Sequence, residues 1–93
     1  MKIILSYHEL ELLGLAMEAL LRVEDTAFRQ ALADKIATSH LDMSEESEID
    51  LNDKELHTLG MGIETLIMES GTTPSRTALA NKIAKAWGEA PKK

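Results

Sequence analysis

Residues 5–25 read LSYHELELLGLAMEALLRVED, and residues 51–71 read LNDKELHTLGMGIETLIMESG. The two stretches align at an offset of 46, and residues 26–37 then align on residues 73–84 at an offset of 47. Of these 33 aligned positions 15 are identical, whereas average composition would give about two. We therefore interpret the chain as an internal duplication, and this repeat decides the predicted fold.

Each repeat begins with the same signal for a helix start. Ser6 is followed three residues later by Glu9, and Asn52 is followed three residues later by Glu55. Both pairs match the capping box, in which the two side chains satisfy each other's free backbone amides. Periodic apolar residues after each box then predict four helices. They are α1 at about 7–24, α2 at about 27–39, α3 at about 53–69 and α4 at about 74–88.

The connections inside each repeat are short, so each pair of helices should form an antiparallel hairpin. We predict one all-α domain, in which two tandem helical hairpins pack as a pseudo-twofold four-helix bundle. Repeat 1 covers about residues 3–39, an acidic joint about 40–52 and repeat 2 about 49–88. The alternating apolar residues before each first helix also predict a minimal β-bridge between residues 3–5 and 49–51.

Recurring charged residues predict how each hairpin is aligned. Antiparallel packing would place Glu18 near Arg29 in the first hairpin and Glu64 near Arg76 in the second. These pairs would be exposed, and such pairs stabilise a fold by less than about 1 kcal/mol. We interpret them as markers of hairpin register.

A glycine also recurs in the middle of a helix, as Gly14 and Gly60. Glycine costs about 1 kcal/mol there relative to alanine. Its recurrence predicts that another helix crosses closely at this point, and Gly62 adds to that signal in α3.

The two halves differ most on one face of their first helices. Helix α1 carries a second apolar stripe, whereas the aligned face of α3 is largely polar. Either α1 lies centrally and contacts more neighbours, or the stripe binds a second copy of the chain or another protein. Apolar residues on the polar side of α1 and α3 give further candidates, because methionine is common at adaptable binding surfaces. The candidate partner contacts are Leu12, Leu15, Ala19, Val23, Met61 and Met68.

The net charge of −6 is concentrated between Asp42 and Glu55, where seven acids accompany one base. This joint is either a solvated linker or a strip that imitates nucleic acid and occupies a basic groove of a partner. The acidic-strip candidates are Asp42, Glu45, Glu46, Glu48 and Asp50.

The sequence offers no chemistry that we can assign to an enzyme. There is no cysteine, which excludes thiolate catalysis and fits a reducing compartment. No calcium loop, phosphate loop or nucleophile motif is present, so we expect no cofactor and no metal.

No stretch approaches the roughly 20 apolar residues of a membrane helix, and the start is too quickly polar for a secretory signal. We therefore predict a cytoplasmic protein with no membrane partner.

Residues 30–39 read QALADKIATS and continue to Met43. This run resembles the helix-turn-helix of phage-repressor-type regulators, although Ala37 stands where that pattern has glycine. The resemblance implies DNA binding through a recognition helix at about 40–48. That segment offers His40 among acids, whereas base edges and phosphates are bound by Arg, Lys, Asn and Gln. Nucleic acid is therefore disfavoured as a partner.

Together these features predict a small non-catalytic protein-binding module, regulatory or inhibitory. A phage or mobile-element accessory protein would fit this size and composition by analogy. The alternatives are an acidic nucleic-acid mimic and a helix-turn-helix-like DNA-binding regulator. The partner is another protein of unknown identity, and a homodimer through α1 is the other arrangement that the apolar stripe allows.

Overall fold

The computed structural model describes residues 1–41 and 45–89. The order of elements is β1 (Lys2–Ser6), α1 (Tyr7–Val23), α2 (Ala27–Leu41), β2 (Glu46–Asp50), α3 (Asp53–Ser70) and α4 (Pro74–Glu89). The chain is mostly helical, as predicted, and the four helix starts match the predicted ones. Within the described residues no helix is long and apolar enough to cross a membrane.

Both predicted capping boxes are present. The Ser6 hydroxyl accepts from the Glu9 amide at 3.1 Å, and the Glu9 carboxylate accepts from the Ser6 amide at 2.9 Å. Asn52 and Glu55 make the same two bonds at 2.8 and 2.9 Å. These bonds satisfy backbone donors that a helix start would otherwise leave unpaired.

The end of α3 requires glycine. Gly71 caps the helix with a φ of 85°, a region that residues with a Cβ rarely occupy. Helices α2 and α4 then begin after threonine caps, since the hydroxyls of Thr26 and Thr73 each accept an amide three residues on at 3.2 Å. The helices of each half are therefore separated by connections of three residues.

The predicted β-bridge is a longer antiparallel pair than the sequence indicated. Strands β1 and β2 pair over five positions with Ile3 opposite Ile49. Two backbone bonds extend the ladder, from the Tyr7 amide to the Glu45 carbonyl at 3.0 Å and from the Leu51 amide to the Met1 carbonyl at 2.8 Å. The all-α expectation is corrected to this extent, because part of the acidic joint is a strand.

Helices α1 and α3 form the centre of the packing. They pack against each other, α2 packs on α1, and α4 packs on α3. The core is continuous from the inward residues of the strands, Ile3, Leu5 and Ile49, to the inner faces of the helices. Burial of this apolar surface is the main favourable contribution to folding.

The close helix crossing lies at Gly62 and not at the recurring glycines. A Cβ added to Gly62 would lie 3.1 Å from the Ala16 carbonyl oxygen, so α1 and α3 approach here at backbone distance. A Cβ at Gly14 would meet nothing within 4 Å, and one at Gly60 would meet only an Ile83 methyl at 3.9 Å. The prediction of a close crossing at Gly14 and Gly60 is therefore wrong.

The predicted ion pairs within each hairpin do not form. Arg29 instead donates to the carbonyls of Leu20 and Glu24 at 3.3 and 2.9 Å, and Arg76 donates to the Gly71 carbonyl at 2.7 Å. Each arginine thus satisfies carbonyls at the end of the preceding helix, where the helix dipole also favours a cation.

Two lysines instead connect one half of the chain to the other. Lys35 of α2 lies 3.2 Å from the Glu55 carboxylate and donates to the Asp50 carbonyl. Lys82 of α4 lies 3.0 Å from the Glu9 carboxylate and donates to the Ile4 carbonyl at 2.7 Å. Each lysine therefore bonds the capping glutamate of the other half and the strand beside it.

Candidate functional site: two grooves between paired helices

A groove lies between α1 and α2, with a cavity volume of about 250 Å³. Its floor is apolar, with Leu10 and Ile36 fully buried. The lining residues are Leu10, Glu11, Gly14, Leu15, Glu18, Ile36, Ala37 and His40.

A second groove lies between α3 and α4, with a cavity volume of about 200 Å³. It is lined by Leu56, His57, Gly60, Met61, Glu64, Ile83, Ala84 and Trp87. Seven of these residues stand at positions that the sequence alignment pairs with a lining residue of the first groove, and Trp87 corresponds to His40 when the offset of 47 is continued past the aligned residues. Both halves of the chain thus build the same groove from the same positions.

The recurring glycine opens each groove. Gly14 and Gly60 both line the cavities, and neither has a packing partner that would exclude a methyl group. A helix-interior glycine costs about 1 kcal/mol relative to alanine, and no backbone approach offsets that cost here. The recurrence of these glycines in the sequence is therefore explained by the grooves and not by a close helix crossing.

The charge at both grooves is acidic. Glu11 and Glu18 line the α1–α2 groove, and Glu64 lines the α3–α4 groove. Among the described residues none of these three carboxylates takes part in an ion pair or a hydrogen bond, and no lysine or arginine lines either cavity. The grooves therefore combine an apolar floor with unpaired negative charge.

An aromatic ring lines each groove at corresponding positions, His40 in the α1–α2 groove and Trp87 in the α3–α4 groove. His40 lies with its ring centroid 4.4 Å from that of Tyr7, and Trp87 lies 5.1 Å from the His57 ring. Trp87 is the chain's single tryptophan. Its fluorescence can therefore report on the α3–α4 groove alone.

The structure separates the predicted partner contacts into three groups. Leu12 and Ala19 are buried, at 8% and 0% exposure. They belong to the same stripe as Ala16, which packs on Gly62, so α3 covers most of the second stripe of α1. Leu12 and Ala19 are therefore not accessible in this chain.

Leu15 and Met61 line the two grooves at aligned positions. Leu15 is 41% exposed, and Met61 is half-buried against the core. These two candidates are equivalent members of the two sites. The sequence placed both on polar helix faces without indicating a cavity beside them.

Val23 and Met68 lie at another place, the carboxyl ends of α1 and α3. They are 66% and 85% exposed, and they flank an ion pair in which Arg22 and Glu69 are 2.8 Å apart. We call Val23 and Met68 the end patch, and neither of them lines a groove.

The acidic-strip candidates lie on β2 and beside it, except Asp42, which lies outside the described residues. Glu45, Glu46, Glu48 and Asp50 are all exposed. Lys2 lies 3.7 Å from Glu48, and the Met1 amine lies 3.0 Å from Asp50. The hydrogen bond and charge of that amine hold the pKa of the Asp50 carboxyl below its usual range. Two of these acids are thus paired within the chain.

The described residues have neither the side-chain cluster of a metal site nor the helix pattern of a helix-turn-helix. Among residues 1–41 and 45–89 no group of three or more histidine, aspartate or glutamate side chains is arranged to hold a metal ion. Helix α2 runs unbroken through residues 37–39, where a helix-turn-helix would turn, and residues 46–48 belong to a strand. Where the recognition helix would end, the chain therefore has a strand.

Comparison of the chain with protein-family models, curated proteins and solved structures found no match. The function is therefore inferred from the two grooves and their charged residues.

Proposed function

We propose that the protein is a small non-catalytic protein-binding module, regulatory or inhibitory, and that the two grooves are its contact sites. The observation that carries the proposal is the pair of grooves lined at aligned positions, each opened by a glycine with no packing role. A cavity of 200–250 Å³ is smaller than the roughly 300–1,000 Å³ of pockets that enclose small-molecule ligands. It suits an anchoring side chain of another protein.

We further propose that the architecture is a fused dimer of helical hairpins, packed as a pseudo-twofold bundle. Three features support this. Ile3 and Ile49, which share the offset of 46, face each other across the sheet, and the aligned residues Ala16 and Gly62 meet at the helix crossing. The two lysine bridges between the halves are also equivalent to each other, since Lys35 aligns with Lys82 and Glu55 aligns with Glu9. A twofold axis that passes between Ile3 and Ile49 and between Ala16 and Gly62 would relate the two grooves to each other.

The test is affinity capture from a lysate with wild type and two surface variants. One variant carries Leu15→Glu and Met61→Glu in the grooves, and the matched control carries Val23→Glu and Met68→Glu at the end patch. Both should keep the wild-type circular dichroism spectrum, because all four side chains are at least partly exposed. The captured protein should be lost with the groove variant and retained with the control.

Other outcomes assign the function elsewhere. Loss only with the control variant would place the contact at the end patch. Equal capture by all three proteins, with binding that weakens strongly between low and moderate salt, would favour the acidic strip and the nucleic-acid mimic. Capture of nothing by wild type, with no association of the purified chain by light scattering, would contradict a binding module.

A further inference from the structure

The two grooves share a chemistry that selects their occupant. Each has an apolar floor deep enough for one side chain, with an unpaired glutamate at the same position of its lining, Glu18 or Glu64. An apolar group gains free energy by entering such a floor. A cation beside that group is attracted by the carboxylate, and an anion there is repelled.

Resting on the proposed function, we infer that the partner contributes two basic, apolar-anchored segments, one in each groove. Each segment presents a leucine-like side chain to the floor, with a lysine or arginine beside it that reaches Glu18 or Glu64. Each cavity volume fits a single anchor, so a partner that occupies both grooves presents two equivalent segments. A partner that is itself a symmetric dimer, or one that carries a repeated motif, would supply them.

The grooves differ in ways that predict different strengths of charge selection. The α1–α2 groove has Glu11 as a second carboxylate, and the aligned position of the α3–α4 groove is His57. Binding in the α1–α2 groove should therefore weaken more steeply with salt. The α3–α4 groove instead has Trp87 in its lining, whose ring can contact a cation or an apolar group.

The probes are two synthetic amphipathic peptides with the same leucine positions and no tryptophan. One carries lysine at the polar positions and the other carries glutamate. Calorimetry with the purified full chain counts the bound peptides, and Trp87 fluorescence reports on the α3–α4 groove. We expect two leucine–lysine peptides per chain, and binding of the leucine–glutamate peptide that is weaker by about tenfold or more.

Glycine variants separate the two sites. Gly60→Ala should raise the Kd seen by fluorescence about tenfold while the other site is unchanged, because the new methyl group occupies cavity space. Gly14→Ala should weaken binding in the α1–α2 groove, which has no tryptophan and is detected by calorimetry alone, and should leave the fluorescence titration unchanged. Gly88→Ala is the matched control, since this helical glycine also has open space around it and lines neither groove.

Glutamine at Glu18 and Glu64 isolates the charge. Glu18→Gln with Glu64→Gln should reduce the preference for the lysine peptide and flatten its salt dependence, with the two-site stoichiometry retained. A leucine–lysine peptide that binds equally to wild type and to the double variant Gly14→Ala with Gly60→Ala would overturn the inference. So would equal binding of the two peptides. If lysate capture still depends on Leu15 and Met61 in that case, the binding module stands and only its partner's chemistry is wrong.

Discussion

At the scale of single residues, three helical glycines have three different surroundings. Gly62 lies against the Ala16 backbone, Gly14 opens onto a cavity, and Gly60 opens onto a cavity with one methyl group at its margin. The same substitution should therefore have opposite effects at different positions, although all three residues are in helix interiors.

Gly14→Ala should raise the free energy of unfolding by up to about 1 kcal/mol, because alanine favours the helix and nothing obstructs its methyl group. Gly62→Ala should lower it by about 1–3 kcal/mol, because α1 and α3 must move apart to accommodate a Cβ at 3.1 Å from a carbonyl oxygen. Urea unfolding monitored by circular dichroism measures both. Stabilisation by Gly62→Ala would mean that the helices do not approach as described.

Glu9 makes one of the pH-sensitive contacts of the described residues. Burial raises the pKa of Glu9, but the Ser6 amide and Lys82 together outweigh it, so the pKa lies below its usual value. A carboxylate with a lowered folded-state pKa stabilises the fold above its unfolded pKa, and that stabilisation is lost as the pH falls through the folded pKa. Glu9→Gln should therefore reduce the loss of stability below about pH 4.5. Lys82→Met should reduce it in the same way, and unchanged pH profiles for both variants would exclude this contact.

At the scale of elements, the local signals determined the helix starts reliably. Capping boxes, threonine caps and Pro74 depend on residues within one turn of each other, so the sequence alone located all four starts. The helix ends in the structure differ from the predicted ends by one or two residues. Strand β2 is longer than the sequence predicts, because its polar, acidic residues are typical of a loop and form a strand only by pairing with β1.

Removing one cap should weaken its helix by a similar amount in either half. Ser6→Ala and Asn52→Ala should each lower the free energy of unfolding by about 1 kcal/mol, because each leaves the amide of its capping glutamate without a partner. Thermal or urea unfolding measures the loss. An effect at one site with none at the other would show that the two capping boxes are not energetically equivalent.

At the scale of the whole molecule, the contacts that join the two halves are distant in sequence. Neither the Lys35–Glu55 and Lys82–Glu9 bridges nor the grooves could be derived from local pattern. The sequence has lysine at both aligned positions, Lys35 and Lys82, but this identity does not say in which half of the chain the partner of each lysine lies. The same limit explains why Glu18 and Glu64 were assigned to arginines of their own hairpins.

Because β1 pairs with β2 and α1 packs on α3, neither half should be a stable monomer alone. Fragments of residues 1–44 and 45–93 produced together should purify as a one-to-one complex with a helical spectrum. Each fragment alone should be largely unfolded or self-associated, since its inner helix face would be exposed. Size-exclusion chromatography with light scattering distinguishes these states. Two independently folded monomeric fragments would contradict the packing between the halves.

The most direct test of the binding account is an NMR titration of the ¹⁵N-labelled full chain with the leucine–lysine peptide. The account predicts that amide shifts concentrate at the residues lining both grooves, above all at Gly14 and Gly60, and saturate at two peptides per chain. Shifts confined to the β2 acids or to the Val23–Met68 patch, with both glycine signals unmoved, would contradict it.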